Sequence, residues 1–324
     1  MRTPSGLPLE SSGLCVPVGR DHKGRCLSEE LDYKHVIRPA MRPVMRELPF
    51  ISTLDLFAGA GGLSLGFEMA RVGFQPGAAV EVDSAAAATF KQHFGCDVVG
   101  AIEDVHDFRD LGTFDVIIGG PPCQGFSPLG RDRDDRSRAR LNSLWEHYLR
   151  AVRQVQPKAF VIENVPQFQR SAQFQELLHQ METDRKLRPY RFAYGVLDAA
   201  DYGVPQHRRR GIFVAVRGRR TVPWPPAPTH GPMSVAGCRY ITVKDAIGDL
   251  ARRPRATDVS PDGMQQDLHF VRTPRPESVE RYKAIPKGGN RFDLARNRPD
   301  LLPQCWANKP TGTTDVMGRL WWDR

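Results

Sequence analysis

The chain reads as an α/β protein, with a doubly wound, mostly parallel sheet and a smaller irregular region after it. Three observations predict this. Over roughly residues 51–218, short apolar runs rich in branched residues alternate with stretches of helical period, as expected of strands joined by crossover helices. Leu141, Leu144, Trp145, Tyr148, Leu149, Val152 and Val155 recur at three- and four-residue steps and mark one long amphipathic helix. After Arg220 the alternation stops in "TVPWPPAPTHGP", whose proline density suits a linker, and a loop-rich mixture continues to Arg324. The expected organisation is a flexible basic extension over residues 1–50, a sheet domain over 51–220 and an incomplete irregular region over 221–324.

The elements follow in order. "STLDLFAG" is a strand, because its apolar residues are continuous and a glycine-containing turn follows. "LSLGFEMARVG" has helical spacing, "PGAAVEVD" returns to a buried strand, and "SAAAATFKQHFG" is a helix opened by Ser84 and closed by glycine. "FDVIIGG" and "AFVIENV" are buried strands on either side of the long helix. "YRFAYGVLDA" and "RRGIFVAVRG" complete the sheet.

Composition narrows the function. Forty-six Lys and Arg against 37 Asp and Glu leave a net charge of +9, which favours a polyanionic partner, although a basic, well-solvated surface would look the same. The six cysteines (15, 26, 96, 123, 238 and 305) are widely spaced and form no CxxC pair. Neither a zinc site nor a disulfide scaffold is expected, and a reducing cytoplasm is the default. No apolar run is long enough to cross a membrane, and no secretory signal core opens the chain.

Two stretches carry chemistry. "DLFAGAGGLSLGF" puts Gly59, Gly61 and Gly62 between the first strand and its helix, where open α/β sheets bind nucleotide-like ligands. The dinucleotide fingerprint fails because Ser64 stands where a third glycine is needed. With Glu81 downstream to accept hydrogen bonds from ribose, the cradle suits an adenosine ligand without a pyrophosphate, such as S-adenosyl-L-methionine; a tight turn without a ligand would also use these glycines. In "GGPPCQGFSP", Pro121 and Pro122 end a strand and turn the chain out at the carboxyl edge of the sheet, so Cys123 emerges beside the cradle. A lone cysteine is more often a small buried hydrophobe, but two prolines and a polar, glycine-containing stretch argue against that here.

"PPCQGFS", preceded by "DLFAGAGG" and followed by "IENV" and "QHRRR", resembles the DNA cytosine-5 methyltransferase family in its bacterial restriction-modification form, over roughly residues 53–217. The resemblance implies a Rossmann-like, S-adenosylmethionine-dependent methyltransferase domain, followed by a target-recognition region. It casts Cys123 as the nucleophile that adds to carbon 6 of a flipped cytosine, so that carbon 5 becomes reactive. An ordinary thiol is only about 3 % ionised at pH 7, so neighbouring cations would have to activate it. Glu163 would hold and protonate ring nitrogen 3, and Arg208 and Arg210, on alternate positions of an extended segment, would converge on the base and Glu163. The cofactor would meet Asp55, Phe57, Ala58, Gly59, Gly61, Gly62, Leu63, Glu81, Val82, Ile102 and Pro121. Gln124, Ser127, Asn164 and Gln206 would serve the substrate, and no metal is implied. "GRDRDDRSRAR" resembles the family's mobile loop that closes over flipped DNA, whose contacts offset the few kcal/mol spent on extruding a base.

Two departures stand out. Where the family usually has Asp in "GDI", this chain has Ala101, which cannot accept a hydrogen bond from the adenine amino group; Glu103 or Asp104 would have to substitute. The family's C-terminal motifs are absent before Arg324, and "KPTGTTDVMGRLWWDR" resembles the stretch just upstream of them. A split enzyme, a truncated frame or a fragment is therefore expected, with Trp321 and Trp322 at a subunit interface in the split case. The expected partners are double-stranded DNA, a second polypeptide carrying the missing motifs and a cognate restriction endonuclease. The competing readings are a DNA-binding remnant with a decayed site and an RNA cytosine-5 methyltransferase.

Overall fold

The computed structural model describes residues 50–122, 135–218, 221–250, 274–307 and 318–319. The expected N-terminal extension, Cys123, Gln124, Ser127, Trp321 and Trp322 lie outside them.

Seven strands form one sheet: β1 (Ile51–Leu56), β2 (Phe74–Val80), β3 (Asp97–Val99), β4 (Val116–Gly119), β5 (Ala159–Asn164), β6 (Tyr190–Asp198) and β7 (Arg209–Arg217). Their order is β3-β2-β1-β4-β5-β7-β6. β1 to β5 pair in parallel, whereas β7 runs antiparallel to both β5 and β6. The doubly wound, mostly parallel expectation holds, with β7 the reversed strand. The strand order turns at β1 and β4, so the segments leaving their carboxyl ends diverge around a crevice, the usual ligand position in such sheets.

Helices α1 (Gly62–Met69), α2 (Ser84–Phe94), α3 (Asp135–Val155) and α4 (Ala172–Thr183) connect the strands. α3 begins at Asp135, so the second half of the arginine-rich segment read as a loop is helical. Its apolar face packs as the spacing predicts, with Leu144, Trp145, Tyr148, Leu149 and Val152 buried against Ile117, Phe160 and Leu54. The Tyr148 hydroxyl donates to the carbonyls of Ile117 and Val161, tying the helix to β4 and β5. α2 is capped by Asp83, whose side chain accepts from the Ala86 amide, one residue before the Ser84 expected to open it. α4 escaped the sequence reading because glutamines and glutamates dilute its apolar stripe of Phe174, Leu177 and Met181, all of which are buried.

The described residues fall into two compact units, one formed by those up to Tyr202 together with His207–Arg239, the other by Gly203–Gln206 and those from Tyr240 onward. The proline-rich stretch after Arg220 is thus part of the sheet unit. The amides of Thr229 and His230 donate to the Asp201 carbonyl, and the Tyr202 hydroxyl donates to that of Pro226. Short helices build the second unit: α5 (Val243–Ile247), α6 (Pro276–Ala284), α7 (Arg291–Asn297) and α8 (Gln304–Ala307). There Arg281 Nε donates to the Leu301 carbonyl, and Gly288 and Gly289 exchange backbone hydrogen bonds with Arg319.

Cys96 is a free thiol, whereas the buried Cys238 is disulfide-bonded, which the wide cysteine spacing did not predict. Among the described residues, no helix is long and apolar enough to cross a membrane, and no cluster of His, Cys, Asp and Glu forms a metal site.

Candidate active site

The bend between β1 and α1 needs unusual backbone angles. Phe57, Gly59 and Gly61 have φ of 60°, 56° and 94°, a region that side chains tolerate poorly. Gly61 is also sterically constrained, since a Cβ there would lie 2.4 Å from Phe94 Cε2 and 2.9 Å from Phe90 Cδ2. The aromatic residues of α2 therefore set the shape of the bend. Ala58 is buried, Leu63 is half-buried, and Gly59 and Gly62 face open space.

Two acids flank this bend. Glu81 accepts the Gly59 amide at 2.8 Å on Oε2 and the Asp83 amide at 2.7 Å on Oε1. Each oxygen keeps one lone pair, so Glu81 both closes the bend and remains able to accept ribose hydroxyls. Val82 beside it is 75 % exposed, an apolar surface at the carboxyl edge. Asp55 is 1 % exposed and accepts the Ser64 hydroxyl at 2.6 Å on Oδ2, while Oδ1 is buried with no hydrogen-bond partner. Burial raises its pKa to about 7, with the Ser64 hydrogen bonds opposing and Glu81 adding to the shift. Ser64, the residue that breaks the dinucleotide fingerprint, is the partner of this acid, a role with no signature in the sequence.

The second half of the site lies at the carboxyl ends of β4 and β5. Gly119 pairs with Leu56 and Ile162, and a Cβ on it would sit 2.2 Å from the Leu56 carbonyl oxygen. Only glycine lets these strands approach. Beyond it, the Pro121 carbonyl accepts Asn164 Nδ2 at 3.0 Å, and Asn164 Oδ1 accepts the Val165 amide. Asn164 thus works as a buried brace that fixes the path of the chain towards residue 123. Glu163 points to the same edge, its Oε2 3.0 Å from where a Cβ on Gly120 would stand. Arg210 Nε lies 2.7 Å from Glu163 Oε1.

The other expected site residues are placed less uniformly. Arg208 is exposed and, among the described residues, its guanidinium has no hydrogen-bonding partner, so only Arg210 of the pair meets Glu163. The Ile102 side chain is buried in the main core, and its carbonyl accepts Arg150 at 2.9 Å. Ala101 immediately precedes the 3₁₀ turn Ile102–Asp104. Gln206 belongs to the second unit. The crevice therefore has, on one side, a glycine bend closed by Glu81 and preceded by the buried Asp55 and, on the other, an ion-paired carboxylate beside a proline-directed chain. This arrangement fits a cationic adenosine ligand next to a ring that needs a hydrogen-bonding acid.

Residues 51–286 match the sequence family described as C-5 cytosine-specific DNA methylase. The chain is 40 % identical over 218 residues to the type II methyltransferase M.XorII of Xanthomonas oryzae pv. oryzae, a match covering 61 % of this chain and 46 % of that protein. It is 34 % identical over 264 residues to the type II methyltransferase M.AgeI of Thalassovita gelatinovora, covering 74 % and 58 %. A crystal structure of a DNA modification methyltransferase encoded within an E. coli prophage superposes with a TM-score of 0.52 at 32 % identity, covering 65 % of this chain and 58 % of that one. The chain spans about half the length of these two curated relatives.

Proposed function

The chain belongs to the C-5 cytosine-specific DNA methylase family, and from that premise we propose that it serves methyl transfer from S-adenosyl-L-methionine to carbon 5 of cytosine in double-stranded DNA. The observation that carries the reading is the ion pair of Glu163 and Arg210 at the edge where Gly120 and Pro121 deliver the chain to Cys123.

Cys123 adds its thiolate to carbon 6 of the extruded base. Glu163 holds ring nitrogen 3 and relays to it a proton drawn from water, which offsets the charge entering the ring, so the carboxylate paired with Arg210 is restored. Arg210 keeps that carboxyl group aimed before the base arrives, so no rearrangement is needed when it does. The exposed Arg208 is available to phosphate or to the base oxygen. Gln124, Ser127 and Gln206 complete the substrate contacts in this reading.

The bend fits the cofactor. Phe57 to Leu63 surround it, Glu81 takes the ribose, and Val82 offers an apolar face to the adenine. The buried, partly unpartnered Asp55 suits a ligand bearing positive charge. Bound there, S-adenosyl-L-methionine supplies an electrophilic methyl group. Ala101 leaves the adenine amino group without the family's usual carboxylate, so cofactor affinity rests more heavily on Glu81.

We further propose that residues 51–220 carry the catalytic and cofactor-binding groups and that 221–324, including the proline-rich stretch that packs with the sheet unit, contribute to target recognition. In this reading a second polypeptide joins the chain on DNA, within a restriction-modification system that includes an endonuclease. The test is incorporation of tritiated methyl groups into unmethylated genomic DNA, measured with the chain alone and with the chain purified together with the polypeptides that bind it in its own host. No incorporation in either case would exclude the reading.

A further inference from the structure

We propose that Asp198 is a positioning residue for the arginines at the site, clamping both ends of the loop between β6 and β7 so that Arg208 and Arg210 are held in one register. The inference rests on the methyl-transfer reading above. β5 pairs with β7 only as far as Asn164 opposite Gly211, so Arg210 and the residues before it lie past the end of that ladder. On the other side β6 continues, with Leu197 opposite Arg210 and Asp198 opposite Arg209. The arginine segment is therefore held from one side only, at the last pairs of an edge strand, where strands fray most readily.

Asp198 closes this open end. Its Oδ1 accepts the Ala200 amide at 3.2 Å and the Arg208 amide at 3.0 Å, and its Oδ2 lies 3.2 Å from His207 Nδ1. The Ala199 amide also donates to the Arg208 carbonyl at 3.0 Å. One carboxylate thus grips both ends of the loop, at its second and its last residue. Burial pushes this acid up, but the Ala200 amide, the His207 ring and the Arg208 amide outweigh it and hold the carboxyl below its ordinary range. Slippage by one residue would turn Arg209, rather than Arg210, towards Glu163, because side chains alternate faces along a strand.

The test compares the full chain with Asp198→Ala and Asp198→Asn, each purified with any polypeptide that binds it. Asn keeps an acceptor for both amides, whereas Ala keeps none. Asp198→Ala is expected to lower kcat for tritiated methyl transfer to genomic DNA by roughly 10- to 100-fold, the usual effect of slight misplacement, with the KM for S-adenosyl-L-methionine unchanged. Asp198→Asn is expected to restore most of the rate. If Asp198→Ala does not fold, Asp198→Val, which also lacks an acceptor, replaces it with the same expected drop. Hydrogen exchange gives a reading independent of activity, since the Ala200 and Arg208 amides should lose protection in the Ala variant. Full kcat in Asp198→Ala, or unchanged protection at both amides, overturns the clamp. No transfer by the unaltered chain counts against the functional reading instead, and exchange then judges the clamp alone.

Discussion

Glu163 and Arg210 hold opposite charges 2.7 Å apart, with side chains 30 % and 25 % exposed. A pair this open to water stabilises a fold by roughly 0–1 kcal/mol, so its role is to aim the carboxyl group. Glu163→Gln keeps the shape and removes the acid. Its kcat is expected to fall by about 10²- to 10⁴-fold, the range for losing a positioned general acid, while DNA affinity in a filter-binding assay stays close to that of the unaltered chain. Cys123→Ser is expected to abolish transfer and, on genomic DNA copied with 5-fluorodeoxycytidine triphosphate, to form no denaturant-resistant adduct. An adduct in that variant would remove Cys123 from the mechanism. The sequence singled out Cys123 and Glu163 because short, unusual strings surround them. The brace formed by Asn164 on the Pro121 carbonyl was not legible there, because that contact joins residues 43 positions apart.

The first strand and its bend form the most constrained element. Asp55 lies within β1 with a pKa of about 7 in the fold against an ordinary value of 3.8. The folded chain therefore holds this proton where the unfolded chain releases it. Stability is undiminished by Asp55 below pH 3.8, falls as pH rises towards 7 and levels off above. At ~1.4 kcal/mol per unit, the loss is on the order of 4 kcal/mol. Asp55→Asn should flatten this part of the pH profile in urea titrations, and an unchanged slope would assign it to other groups. Gly61→Ala should lower stability by roughly 1–3 kcal/mol, because it combines a strained φ with overpacking against Phe90 and Phe94. The same melts would show it. The glycines were visible in the sequence, but the aromatic wall that makes Gly61 irreplaceable comes from α2, reached only through the folded sheet.

Over the whole molecule, a charge of +9 suits a chain that binds a polyanion. Binding to duplex DNA is expected to weaken steeply with salt, log K falling by about 0.9 per phosphate neutralised for each decade of salt; a flat dependence in fluorescence anisotropy would argue against a backbone grip. The alternation of strands and helices was readable because burial on both faces of a parallel sheet imposes continuous apolar runs and amphipathic crossovers. The unit boundary was not. Proline density suggested a linker after Arg220, but the carbonyls of Asp201 and Pro226 bind that stretch to the first unit through contacts no local pattern encodes. By itself the sequence determined the α/β class, the glycine bend, the order of the motifs and the family, because each is a matter of residue type and spacing along the chain. Tertiary structure alone decided that Ser64 partners Asp55, that Arg210 rather than Arg208 meets Glu163, and that Asp198 closes the loop before them, because these depend on which side chains the strand order brings within hydrogen-bonding distance.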